Sequence, residues 1–180
     1  MIAVEWKDAQ EDRDGKALAE FTCALPAPPS SKPPTWERGV QRFFQEEVWD
    51  KLSELREADA RLRIAEDDKG IAAAYTHHHF DSQSPEYDPP SGWGSRLIGY
   101  LGIANRHRHK GGTFADQVLT DALYEALEAE SEYQHGIYAW GKVHRKNRGS
   151  KSMLTRNGFR YRVSIPDDGP LEHWYVRIPR

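Results

Sequence analysis

The chain has 180 residues, enough for one domain with a sizeable core. With 38% hydrophobic residues, 29% charged residues and a net charge of −3, it reads as a polar surface around a modest core, which excludes a strongly basic nucleic-acid binder. No apolar run approaches the roughly 20 residues of a spanning helix, the start MIAVEWKDAQEDRDGK lacks a secretory pattern, and the lone Cys23 excludes an intramolecular disulfide framework. A single cytoplasmic domain over residues 1–180 is expected, with no membrane and no nucleic-acid partner.

Residues 1–7 alternate well enough for an edge strand. Asp8 to Lys16 suit a loop or short helix, and Ala17 to Cys23 fit either strand or helix. The run Leu25 to Pro34, LPAPPSSKPP, excludes regular structure, because proline removes donors and fixes φ. Thr35 opens a helix in which Trp36, Val40, Phe44, Val48, Leu52 and Leu55 form an apolar stripe, widened by Phe43 and Trp49. Such a stripe faces a core. Arg61 to Glu66 and Ile71 to Phe80 read as strands joined by the hairpin turn Asp67-Asp68-Lys69-Gly70. His77, His78 and His79 are consecutive, so they leave the strand on alternate faces and do not make one tetrahedral metal site. No metal is expected; His77 and His79 share a face and are placed to meet a substrate. The long loop Asp81 to Ser95 carries Tyr87 and Trp93, which either cover a substrate or pack as anchors.

The stretch Leu97–Glu130 organises the remainder. An apolar run from Leu97 to Ala104 ends in the basic segment Asn105 to Lys110, then Gly111 and Gly112. Phe114, Val118, Ala122 and Ala126 follow at helical spacing, with Thr113 and Asp116 suiting a helix N-terminus. This is strand, glycine turn, helix. Such a turn aims backbone N–H groups at one spot, the helix adds partial positive charge there, and a phosphate fits. Beyond it come a strand from Gly136 to Val143, a helix from Arg148 to Asn157, and a hairpin of Phe159–Ile165 with Leu171–Ile178. The pattern predicts an α/β (α+β) fold with a mixed, twisted sheet.

The glycine turn fits neither the Walker A spacing nor the dinucleotide fingerprint Gly-x-Gly-x-x-Gly. Its pattern, Arg108-x-x-Gly111-x-Thr113, resembles the pyrophosphate loop of the GNAT acyl-CoA N-acyltransferases, Gln/Arg-x-x-Gly-x-Gly/Ala. The later stretch from Asn147 through Ser150 to Gly158-Phe159 resembles that family's second motif, in the family's order. Read physically, Asn147 caps a short helix and Gly158 takes the left-handed position at its end, followed by an apolar contact from Phe159.

The resemblance implies a mostly antiparallel sheet, splayed at a CoA cleft between the strands at Leu97–Ala104 and Gly136–Val143, with helices on both faces. It implies that the backbone of Leu101 and Ile103 pairs with pantetheine. The amides of His109, Lys110, Gly111, Gly112, Thr113 and Phe114 would hold the pyrophosphate, with charge from Arg108 and Lys110. Asn147 would bond the pantetheine arm, and Ser150 is small enough to let it pass. Acetyl-CoA would be the donor, and a primary amine of a small molecule or protein the acceptor, by direct transfer in a ternary complex within a monomer or homodimer. Many members carry a catalytic Tyr where this chain has Leu154, and others a Glu where it has Lys142. His144 and His79 are then the candidate bases, since imidazole titrates near neutrality. Cys23 has no evident catalytic partner. The alternative is a degenerate GNAT domain that binds CoA as a sensor or scaffold.

Overall fold

The computed structural model describes residues 3–25, 32–81, 88–108, 111–162 and 169–180. In chain order these form β1 (Glu5–Asp8), α1 (Glu11–Ala19), α2 (Thr35–Arg42), a π turn (Phe43–Glu47) and α3 (Val48–Glu54). There follow β2 (Arg61–Asp67), β3 (Gly70–His79), β4 (Trp93–Ile103), α4 (Thr113–Ala129), β5 (Gly136–His144), α5 (Arg148–Arg156), β6 (Arg160–Arg162) and β7 (Leu171–Pro179). The strands follow the order β1-β2-β3-β4-β5-β7-β6, a mixed and mostly antiparallel arrangement, as the sequence predicts. Among the described residues no helix is long and apolar enough to cross a membrane. The chain divides into two compact units, Met1–Thr76 with Tyr100–Ala115 and His77–Gly99 with Asp116–Arg180.

In the first unit β1 pairs antiparallel with β2, from Glu5↔Glu66 to Asp8↔Arg63. The turn after β2 is fixed by Asp67, whose Oδ1 accepts the Lys69 amide at 2.8 Å, a local bond that lets the chain reverse in two residues. The ambiguous stretch from Ala17 to Cys23 divides: α1 ends at Ala19 and the rest is irregular. The apolar stripe opened by Thr35 does face a core. Its helix, however, widens into the π turn, so that the adjacent Phe43 and Phe44 are both buried, which a regular 3.6-residue period does not favour. They pack with Leu18, Phe21, Val48, Leu62, Ile64 and Ile71. Phe43 also stacks on Tyr100 of β4, ring centroids 3.6 Å apart. A side chain at Gly102 would come within 3.1 Å of Phe21, Cys23 and Phe44, so β4 passes this core closely because that position is bare.

In the second unit β4 pairs parallel with β5, from Trp93↔Gly136 to Ile98↔Gly141. Parallel neighbours need a crossover, and α4 supplies it. β5 pairs antiparallel with β7 along its length, and β6 flanks β7 from Arg160↔Tyr175 to Arg162↔His173. Val118, Leu119, Ala122 and Ala126 make the buried face of α4, the stripe read from the sequence. β4 begins at Trp93, inside the stretch expected to be loop. The Trp93 ring packs edge-on to Tyr138 and beneath the guanidinium of Arg177. Tyr87 lies outside the described residues.

Candidate functional site

Three groups of residues carry the candidate chemistry. The first is the turn between β4 and α4. Gly111 and Gly112 both take left-handed backbone, φ 72° and 77°, and α4 starts at Thr113. L-residues resist this conformation, so two in succession make a tight concave main-chain turn at a helix N-terminus, a geometry suited to an anion. An added Cβ at Gly111 would meet nothing within 4 Å, so the constraint there is conformational and not one of packing. Phe114 is buried, its ring 4.9 Å from that of His107. His109 and Lys110 lie outside the described residues.

The described side chains of the basic segment before the turn have partners within the protein. Arg108 forms a two-pronged pair with Glu37, at 2.8 and 3.0 Å, and donates to the Cys23 carbonyl at 2.8 Å. Arg106 reaches Asp67 and the carbonyls of Gly70 and Ile71, and His107 Nε2 meets the same Asp67. Arg106 above all, with His107, holds the Asp67 carboxyl well below the usual carboxylate range against the cost of its burial. Asn105 is tied by its amide to Thr22 and by its side chain to Ala24. These side chains clasp the segment that leads into the glycines, and the Arg108 charge is spent on Glu37. Glu37 and Asp67 lie far away in sequence, and nothing in their local pattern marks them as partners. Asp116 likewise bonds Arg156 and Asn157.

The second group surrounds α5. Asn147 caps that helix, its Oδ1 accepting the Ser150 amide at 3.1 Å. At the other end the Gly158 amide donates to Thr155 O and the Phe159 amide to Leu154 O, with Gly158 at φ 81° and Phe159 buried. This is the Schellman pattern, and the local sequence forecasts it in full. Leu154 is buried. His144 ends β5, and its Nδ1 accepts the Lys146 amide at 3.2 Å. That bond leaves the proton of a neutral ring on Nε2.

The third group is a buried chain of polar side chains in the second unit. Arg96, on β4, donates from Nε to His77 Nδ1 at 2.7 Å and from Nη1 to Glu130 at 2.9 Å. Glu130 follows α4 and faces His79 Nδ1 at 3.1 Å. Arg96, His77 and Glu130 are all buried, whereas the His79 side chain is 38% exposed. In a neutral ring the carboxylate places the proton of His79 on Nδ1 and the lone pair on Nε2, the opposite sense to His144. A buried Arg inside an apolar strand demands a carboxylate, and that demand is the signal by which Glu130 is found. Cys23 is buried, and burial pushes its thiol up to about 12, against the opposing charge of Arg108.

No protein-family profile and no curated protein matches the sequence. Solved structures match it at the level of fold. PaiA N-acetyltransferase from Thermoplasma acidophilum, in complex with coenzyme A, has a TM-score of 0.65 at 13% identity, over 98% of this chain and 100% of that one. The AtaT mutant toxin, bound to the C-terminus of the antitoxin AtaR and to acetyl-CoA, has a TM-score of 0.64 at 13% identity, over 97% and 92%. A proposed acetyltransferase of the GNAT family from Desulfovibrio desulfuricans has a TM-score of 0.62 at 11% identity, over 97% and 99%. The chain shares the fold of these three proteins.

Proposed function

We propose that this chain is an acyl-CoA-dependent N-acetyltransferase acting as one catalytic domain over residues 1–180. The observation that carries the reading is the pair of left-handed glycines, Gly111 and Gly112, between a strand and the N-terminus of a long helix. The main-chain amides of Gly111, Gly112, Thr113 and Phe114, with those of His109 and Lys110, bind the CoA diphosphate. The backbone of Leu101 and Ile103 pairs with pantetheine, and Asn147 and Ser150 complete its contacts. The glycine turn needs little help from side-chain charge, because the helix N-terminus supplies it.

Of the two candidate bases, the hydrogen bonds favour His79. Its Nε2 lone pair is available to take a proton, with Glu130 fixing the ring, whereas the His144 bond to Lys146 puts the proton on Nε2. The acyl acceptor is a primary amine and the transfer is direct. Leu154 and Lys142 at the family's usual catalytic positions favour a second reading, a domain that binds CoA without turnover.

Thermal shift tests the assignment. At a hundredfold excess over Kd, acetyl-CoA stabilises by about 2.7 kcal/mol, a rise of several degrees. Gly111→Glu places a strained and anionic side chain at the turn and is expected to abolish the rise. A rise that survives the substitution counts against the site. Binding without acetylation across a panel of amines selects the second reading.

A further inference from the structure

The end of β3 and the start of β4 enclose a cavity of about 290 Å³ in the second unit, lined by His79, Phe80, Asp81, Asp88, Trp93 and Tyr133 among others. Three aromatic rings, two carboxylates and one imidazole make an unusual lining for so small a space. Asp81 and Asp88 are exposed, and Phe80, Trp93 and His79 are half-buried. Arg177 lies 5.3 Å from the Trp93 ring centre, so one face of that ring already carries a cation of the protein itself.

The polar side of the cavity has a fixed sense. Glu130 is buried, is neutralised by Arg96, and holds His79 Nδ1. The imidazole is therefore oriented by a carboxylate that is itself locked, and Nε2 is the acceptor it can offer. Acceptors and aromatic faces suit a group that brings N–H donors, positive charge and an apolar body. An anion would meet two carboxylates.

We propose that this cavity binds a small organic ammonium ion carrying an aromatic or alkyl body. An N–H of the ammonium donates to His79 Nε2, Asp88 and Asp81 balance its charge, and its body lies against Phe80, Trp93 and Tyr133. The binding claim stands by itself. Calling this ligand the acyl acceptor rests on the N-acetyltransferase reading, and in that case His79 receives the proton that the ammonium must lose before attack.

Calorimetry with 2-phenylethylamine and its uncharged counterpart 2-phenylethanol tests the proposal. The amine is expected to bind about tenfold more tightly than the alcohol, a difference of about 1.4 kcal/mol. Asp88→Asn and His79→Gln are each expected to weaken the amine about threefold or more while leaving the alcohol unchanged. Both side chains are partly exposed, so the variants should fold, and the urea midpoint checks this. Glu130 is left intact, since its removal would take the carboxylate from the buried Arg96 and endanger folding. Equal affinity for amine and alcohol, no amine binding at millimolar concentration, or folded variants that bind amine as the parent does would each overturn it. The acetyl-CoA thermal shift is read in parallel. Amine discrimination in a protein that acetyl-CoA does not stabilise would uphold the cation site and remove the transferase reading alone.

Discussion

Cys23 shows how one residue's surroundings decide its chemistry. The thiolate is the reactive form of cysteine, and burial disfavours it. With the thiol pushed up to about 12, almost none is ionised at neutral pH. Native protein is therefore expected to leave Ellman's reagent uncoloured at pH 8, with one equivalent released after denaturation; prompt colour from native protein would show that the side chain is not shielded. The neighbouring Arg108 makes the complementary point. The sequence places it beside two glycines, which suggests phosphate, but its guanidinium is matched by Glu37 from a distant helix. Local pattern identifies a charged residue and its type. It does not reveal a partner 71 positions away, because that pairing is made by the folded chain.

Single elements carry their own stop and start signals, and these were the most legible part of the chain. The cap at Asn147 and the left-handed Gly158 involve neighbours a few residues apart, so the spacing alone predicts them. Two glycine substitutions should act with opposite sign. Gly158→Ala meets only ordinary packing, Val176 at 3.8 Å, but forces alanine to φ 81°, and a loss of about 1–2 kcal/mol is expected. Gly39 lies inside α2, and a Cβ there meets nothing within 4 Å. Gly39→Ala is expected to gain up to about 1 kcal/mol from helix propensity. Urea unfolding of both variants measures the difference; a common sign would refute the backbone argument. The π turn escaped the periodicity because the flanking stripe stays apolar whether the turn holds four residues or five. The pairing of β4 with β5 was legible only through family likeness, since strand neighbours are not written in either strand alone.

For the molecule as a whole, acid stability follows from two carboxylates. Asp14, whose side chain is buried, is held at about 2, first by Arg13 and then by the Gln10 amide and Lys7, against burial. Asp67 is also held well below the usual carboxylate range, by Arg106 and His107. Both are depressed in the folded state, so their contribution is complete above the unfolded value of about 4 and is lost as pH falls below it. Solvent screening reduces the Asp14 share to about 1–2 kcal/mol. Urea midpoints measured from pH 6 to pH 2 should fall steeply below pH 4, and Asp14→Asn should flatten that fall; an unchanged slope would mean the pairs do not stabilise the protein. Chain length is constrained unevenly as well. The widened turn at Phe43–Glu47 stores a surplus residue without rotating the helix beyond it. Losing the exposed Glu46 would let that coil relax to ordinary winding with Val48 still facing inward. The same deletion a turn earlier or later would swing every following side chain by about 100°. Natural variation in the length of this helix should therefore concentrate at that one place.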